Sequence, residues 1–155
     1  MAVTENKPLL EVRNLKTHFY TEDGVVRAVD GVNLDLFPGE VIGLVGESGC
    51  GKSVTSLSIM RLIVPPGKVI EGQVLLNGKD LFKLTEREMI NVRGNRISMI
   101  FQQPQTALNP VFKVKNQIAE VLNIHQDFGK QAGEKRAVDI IVCKPLIRLV
   151  DPQGD

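Results

Sequence analysis

Gly46-Glu47-Ser48-Gly49-Cys50-Gly51-Lys52-Ser53 is the stretch from which the fold can be read. Holding a phosphate closely requires backbone N–H groups to converge on its oxygens, and side chains at the crowded positions would obstruct them. Gly46, Gly49 and Gly51 remove that obstruction, and a helix starting just after them turns its positive end toward the β-phosphate. Lys52 adds a mobile positive charge for the β- and γ-phosphates, and Ser53 a hydroxyl that can ligate magnesium. The flanks agree. Val41-Ile42-Gly43-Leu44-Val45 is apolar on both faces, as a strand inside a sheet should be. Leu57, Met60, Leu62 and Ile63 recur at helical spacing over residues 53–63, and Pro65-Pro66-Gly67 stops that helix. The plain alternative, a glycine-rich turn joining strand to helix, is disfavoured by this context. A thiol such as Cys50 at a helix N-terminus can be reactive, but the plainer reading is that the position accepts any small side chain.

Toward the N-terminus the pattern is β. Leu9 to Leu15 predicts a strand, Asp23-Gly24 a turn, and Val25 to Val29 a return strand. Val32-Asn33-Leu34-Asp35-Leu36 alternates apolar and polar, as a half-buried strand does. Toward the C-terminus, Gln73 to Asn77 predicts a strand ending at Gly78, and Thr85-Glu86-Arg87-Glu88 has the form of a capping box opening a short helix that Gly94 closes. Arg96 to Phe101 predicts another buried strand. Beyond Pro110 the apolar stripe Val114, Ile118, Val121 and Leu122 predicts a helix whose stripe is core, and a second helix is expected over residues 134–143, with Cys143 on its apolar face.

Composition narrows the functional classes. The 155 residues carry 19 Lys plus Arg against 18 Asp plus Glu, a net charge of +1. That balance provides no field for gathering nucleic acid or an anionic membrane. Two cysteines without paired spacing argue against a disulfide framework or a zinc site and fit a reducing compartment. No apolar run approaches membrane-spanning length, and the first residues lack a secretory pattern.

Three features beyond the phosphate loop carry a family resemblance. Two or three strands and a Pro38-Gly39-Glu40 turn precede it, Ile100-Phe101-Gln102-Gln103-Pro104 follows it, and Leu108-Asn109-Pro110 comes next. This order resembles the nucleotide-binding subunit of an ABC transporter. The finer text around Gly49–Thr55, Ser98–Gln102 and Ala107–Pro110 is similar to its oligopeptide/dipeptide importer branch, over residues 9 to about 125. The resemblance implies an α/β fold: a P-loop ATPase core with an N-terminal antiparallel β-subdomain over residues 1–102. The start of a helical subdomain would span residues 103–143, before an irregular tail over 144–155. It implies ATP and Mg2+ as cofactors. Phe19 would stack on adenine, with Tyr20 as the fallback; the lesser alternative for both is a strand-end aromatic in the core. Gly46, Glu47, Ser48, Gly49, Cys50, Gly51, Lys52, Ser53 and Val54 would hold the phosphates. Ser53 and Gln102 would complete the magnesium shell, unless Gln102 is an ordinary polar strand end. Most relatives carry a hydroxyl residue where this chain has Val54, whose backbone N–H can still donate. The implied partners are transmembrane permease subunits and a second nucleotide-binding subunit, identical or not. The implied place is the cytoplasmic face of the cell membrane.

One departure sets the functional expectation. The 155 residues contain no Leu-Ser-Gly-Gly-Gln signature, no strand ending in Asp-Glu and no switch histidine beyond it; His18 and His125 flank the wrong elements. The expectation is therefore the N-terminal portion of an importer ATPase, cut before its general base. Such a chain binds ATP without efficient hydrolysis, which needs an oriented water. The rival readings are a non-catalytic ATP-binding or transporter-docking module, and a small kinase or GTPase. The last two lack, respectively, an arginine-rich lid and an Asn-Lys-x-Asp motif.

Overall fold

The computed structural model describes residues 7–103, 107–126 and 129–143. They fall into two compact units, Met1–Arg93 and Gly94–Asp155.

The first unit is built on an antiparallel sheet. Strands β1 (Leu10–Thr21), β2 (Gly24–Leu36), β3 (Gly67–Leu76) and β4 (Lys79–Asp80) lie in the order β2-β1-β3-β4. The two predicted segments at 25–29 and 32–36 are one strand. β1 and β2 turn over Glu22 and Asp23, beside the expected Asp-Gly signal. Asn77 (φ 51°) and Gly78 (φ 78°) make the two-residue link from β3 to β4, the backbone form that Asn-Gly favours.

Register explains the core. Val12 and Leu15 are both fully buried, three residues apart, although strict alternation would put them on opposite faces. A bulge at Asn14, whose φ is 45°, restores the parity: Val12 opposes Leu34, and Leu15 opposes Val32. Asn33 Oδ1 accepts from the Asn14 N–H at 2.9 Å and fixes the bulge. Val12, Leu15 and Thr17 thus share one face with Val74 and Val29 beside them. Arg13 pairs with Glu11 and Asp35, and Lys16 with Glu71, at the solvated surface, where water screens their attraction.

Helix α1 (Lys52–Ile59) packs on this sheet. It ends earlier than the expected residue 63 because Arg61 adopts φ 55°. The Arg61 guanidinium then donates to the carbonyls of Leu81 and Leu84 at 3.1 and 2.7 Å. Asp80 caps the 3-10 turn Leu81–Lys83. Thr85 and Glu88 form the capping box of α2 (Glu86–Val92), which buries Met89 completely. Arg93 returns from its end to the carbonyls of Met60 and Arg61.

Two expected strands are absent. Residues 41–45 have no regular structure, and Val41 and Val45 are 93% and 97% exposed. Residues 98–101 are likewise irregular, with Ile100 largely exposed. A strand apolar on both faces needs backbone partners on both sides; no described strand pairs with either segment.

In the second unit, α3 (Val114–Gln126) packs against α4 (Lys130–Cys143) through Ala119, Leu122 and Ala137, with Ile118 and Ile140 alongside. The expected stripe is core only in part, since Val114 and Val121 are exposed. Gly133 lets the helices approach; a Cβ there would meet Asn123 Oδ1 at 2.5 Å. Lys115 pairs with Glu134 across them at 2.7 Å. The Cys143 side chain and the tail 144–155 lie outside the described residues.

Candidate phosphate-binding site

The loop 46–51 rises to the N-terminus of α1. Gly51 is the helix N-cap, in the left-handed region at φ 91°, and no side chain caps the helix. The first N–H groups of α1 are therefore open to a ligand's oxygens. Glycine is required at residue 51 twice over. Its backbone sign favours it, and a Cβ would lie 2.1 Å from the carbonyl oxygen of Ala28. Ala28 is itself the extra residue of a β2 bulge, between Val29 opposite Thr17 and Arg27 opposite His18.

Lys52 folds back over the loop. Its Nζ donates to the carbonyls of Gly46 at 2.8 Å and Glu47 at 2.6 Å, and lies 3.4 Å from Cys50 Sγ. Cys50 N–H donates to the Glu47 carbonyl at 3.3 Å. Glu47, Ser48, Gly49 and Cys50 are exposed, as is Ser53, while Val54 is half-buried. The helix N-terminus, an ammonium and the Ser53 hydroxyl are thus gathered within one turn of chain. Among the described residues no cluster of three His, Cys, Asp or Glu could hold a metal ion. The Ser53 hydroxyl is a hard oxygen donor of the kind magnesium takes beside phosphate.

Phe19 lies on β1, on the face of the sheet that carries Thr17. Its half-buried ring lies over the cross-strand Gly67; a Cβ at residue 67 would come within 2.7 Å of the Phe19 ring and of Ile63. Tyr20 is exposed and carries the Lys68 ammonium 5.8 Å over its ring. Gln102 is exposed in an irregular part of the second unit, so it is not the end of a strand there. In the same unit Gln117 ties down the Leu108-Asn109-Pro110 segment: it accepts from the Asn109 N–H at 2.9 Å and donates to the Asn109 and Phe112 carbonyls. The roles of Gly67 and Ala28 were not readable from sequence, because each depends on a cross-strand neighbour.

Residues 29–144 match the ABC transporter family model. The chain belongs to the ABC transporter family. Among similar proteins, the oligopeptide transport ATP-binding protein OppD of Bacillus subtilis is 54% identical over 134 residues, 86% of this chain and 37% of the relative. The dipeptide transport ATP-binding protein DppD of the same organism is 47% identical over 145 residues, covering 93% and 42%. DppD of Escherichia coli is 45% identical over 133 residues, covering 86% and 41%. This ABC chain therefore spans about two fifths of the length of these curated relatives. A dimeric structure of a bacterial ABC transporter cassette superposes with a TM-score of 0.72 at 25% identity, over 86% of this chain and 55% of that one. A dimeric cassette bound to ADP and Pi gives 0.73 at 24% identity, over 86% and 56%, and supports the fold. The chain covers about half of the ABC ATPase fold, and that part includes the N-terminal antiparallel sheet expected from the resemblance.

Proposed function

We propose that this chain is the ATP-binding part of an ABC importer subunit that energises uptake of peptides or a related small solute. The observation that carries the reading is the open N-terminus of α1 behind Gly51, with Lys52 one residue away. On binding, the Lys52 ammonium exchanges the Gly46 and Glu47 carbonyls for the β- and γ-phosphates. Backbone N–H groups from Gly46 to Val54 surround the phosphate chain. The Phe19 ring offers its π-face to adenine. Ser53 would hold magnesium, and the ion would supply charge neutralisation on the phosphates. Residues 1–102 serve as the nucleotide-binding core, and residues 103–143 begin the helical part that meets transmembrane permease subunits on the cytoplasmic side of the membrane. A second nucleotide-binding subunit completes the assembly. The relatives' names supply the solute class. Among the described residues no helix is long and apolar enough to cross a membrane.

The residues proposed for the site bind and orient the nucleotide; the 155 residues contain no strand ending in Asp-Glu to supply a general base for water. Measured alone, the chain is expected to bind ATP without turnover. Titration with a fluorescent ATP analogue tests this: Lys52→Ala should abolish binding, and steady-state phosphate release by the parent should equal that of the variant. Unchanged affinity in Lys52→Ala would sink the site, and turnover above the variant would sink the inactive reading.

A further inference from the structure

Thr17 on β1 and Ser58 on α1 have no exposed surface, and their hydroxyl oxygens lie 2.7 Å apart. Ser58 Oγ also lies 2.7 Å from the Val54 carbonyl and donates to it. A serine hydroxyl has one hydrogen. Ser58 uses it on Val54, so Thr17 is the donor to Ser58. The bonds run in one direction, from the middle of β1 to the backbone of the third residue of α1.

This relay joins the two halves of the proposed ATP site. Phe19 stands two residues from Thr17 on the same face of the sheet, its ring set by Gly67 and Ile63. Val54 follows Ser53 and precedes Thr55, whose backbone N–H and hydroxyl both bond to Gly51 at 2.8 and 3.0 Å. The other end of the helix start is pressed against Ala28. α1 is thus registered on the sheet at two points, and Thr17 and Ser58 supply the buried polar one.

We propose that the Thr17–Ser58–Val54 relay fixes the separation between the Phe19 ring and the phosphate loop, making Thr17 and Ser58 positioning residues for a nucleoside triphosphate that they do not touch. The inference rests on the ATP-binding reading above. A ligand that engages both ends gains from a preset span, because less freedom is lost on binding. A ligand that engages the loop alone gains nothing from it.

Inorganic tripolyphosphate is such a one-ended probe. Calorimetric affinities of the 155-residue chain for magnesium-ATP and magnesium-tripolyphosphate would be compared across variants, with melting curves for each. Thr17→Val keeps the shape and removes the donor; it should weaken ATP about threefold to tenfold, the cost of a poorly ordered group, and leave tripolyphosphate unchanged. Thr17→Ser should restore ATP affinity. On a Phe19→Ala background, Thr17→Val should cost nothing more. Equal loss for both ligands would assign Thr17 to packing and overturn the inference, as would full ATP affinity in Thr17→Val while Phe19→Ala weakens it. If Phe19→Ala leaves ATP affinity untouched, the base end of the ATP site fails first and the inference falls with it. Should Thr17→Val not fold, Ser58→Ala breaks the same relay from the helix side and is judged by the same comparison.

Discussion

Lys52 Nζ donates to the carbonyl oxygen of Gly46, 2.8 Å away and six residues back. The ammonium that is proposed to meet the phosphates thus braces the loop that would carry them. These bonds are exposed to water, where their net worth is small. Lys52→Met should accordingly leave the urea stability of the ligand-free chain within about 0.5 kcal/mol while removing ATP binding. A large loss of stability would show that the loop contacts hold the fold together.

Gly51 should tolerate nothing larger. Its φ of 91° and the Ala28 carbonyl at 2.1 Å from a built Cβ combine backbone strain with a backbone clash. Gly51→Ala is expected to cost at least about 3 kcal/mol by urea titration. Gly39 shares the positive φ, at 77°, but has open space around it; Gly39→Ala should cost only about 1 kcal/mol. Similar costs at the two glycines would count against the Ala28 contact.

The core makes a sharper contrast. Leu15 is fully buried at the centre of β1, between β2 and β3, and Leu15→Ala should cost about 2–5 kcal/mol. Val121, half exposed on α3, should cost within about 0.5 kcal/mol on truncation to Ala. Denaturant midpoints of the two variants decide whether the bulge at Asn14 places Leu15 inside as described.

Acid should loosen the Arg61–Leu84–α2 corner. The Thr85 backbone N–H, then its hydroxyl, hold the Glu88 carboxyl below its ordinary 4.5, and Arg93, with Arg61 behind it, does the same to Glu86. A depressed folded-state value means the contribution is complete above 4.5 and is lost as pH falls through the lowered value. Stability should therefore decline on acidification below 4.5, and Glu88→Gln should flatten that part of the curve. Parallel curves for parent and variant would remove the capping box from the account.

What was legible in the sequence was what is decided locally. Thr85 and Glu88 cap α2 as read, because both partners sit within one turn. The phosphate loop, the Asn77-Gly78 link and the helix beyond Pro110 depend on a few adjacent residues in the same way. The bulges at Asn14 and Ala28 were not legible, since only the partner strand's register calls for an extra residue. The stripe Val114-Ile118-Val121-Leu122 misled by half because the contact between α3 and α4 uses Ala119 and Ala137, too small to mark an apolar face. At residues 41–45 the pattern described a strand's needs, and no described strand meets them. At the candidate site, Lys52 and Phe19 are proposals that sequence motifs suggest, whereas no sequence feature marks Thr17 and Ser58, whose contact depends on how the helix lies on the sheet.

The described sheet β2-β1-β3-β4 takes its strands from residues 10–80: β1 and β2 form a hairpin, and β3 returns to pair with β1, Leu10 opposite Leu76 and Phe19 opposite Gly67. The β1–β2 hairpin closes its loop cheaply and forms early, whereas the β1–β3 pairing must wait for residues 67–76. During synthesis the ribosome would release these strands together, ahead of α3 and α4, so the nascent chain can set its Phe19 shelf before the helical unit has emerged. Limited proteolysis of released chains ending near Gly94 would show this as a protected fragment, and a fully sensitive one would mean the sheet waits for later sequence.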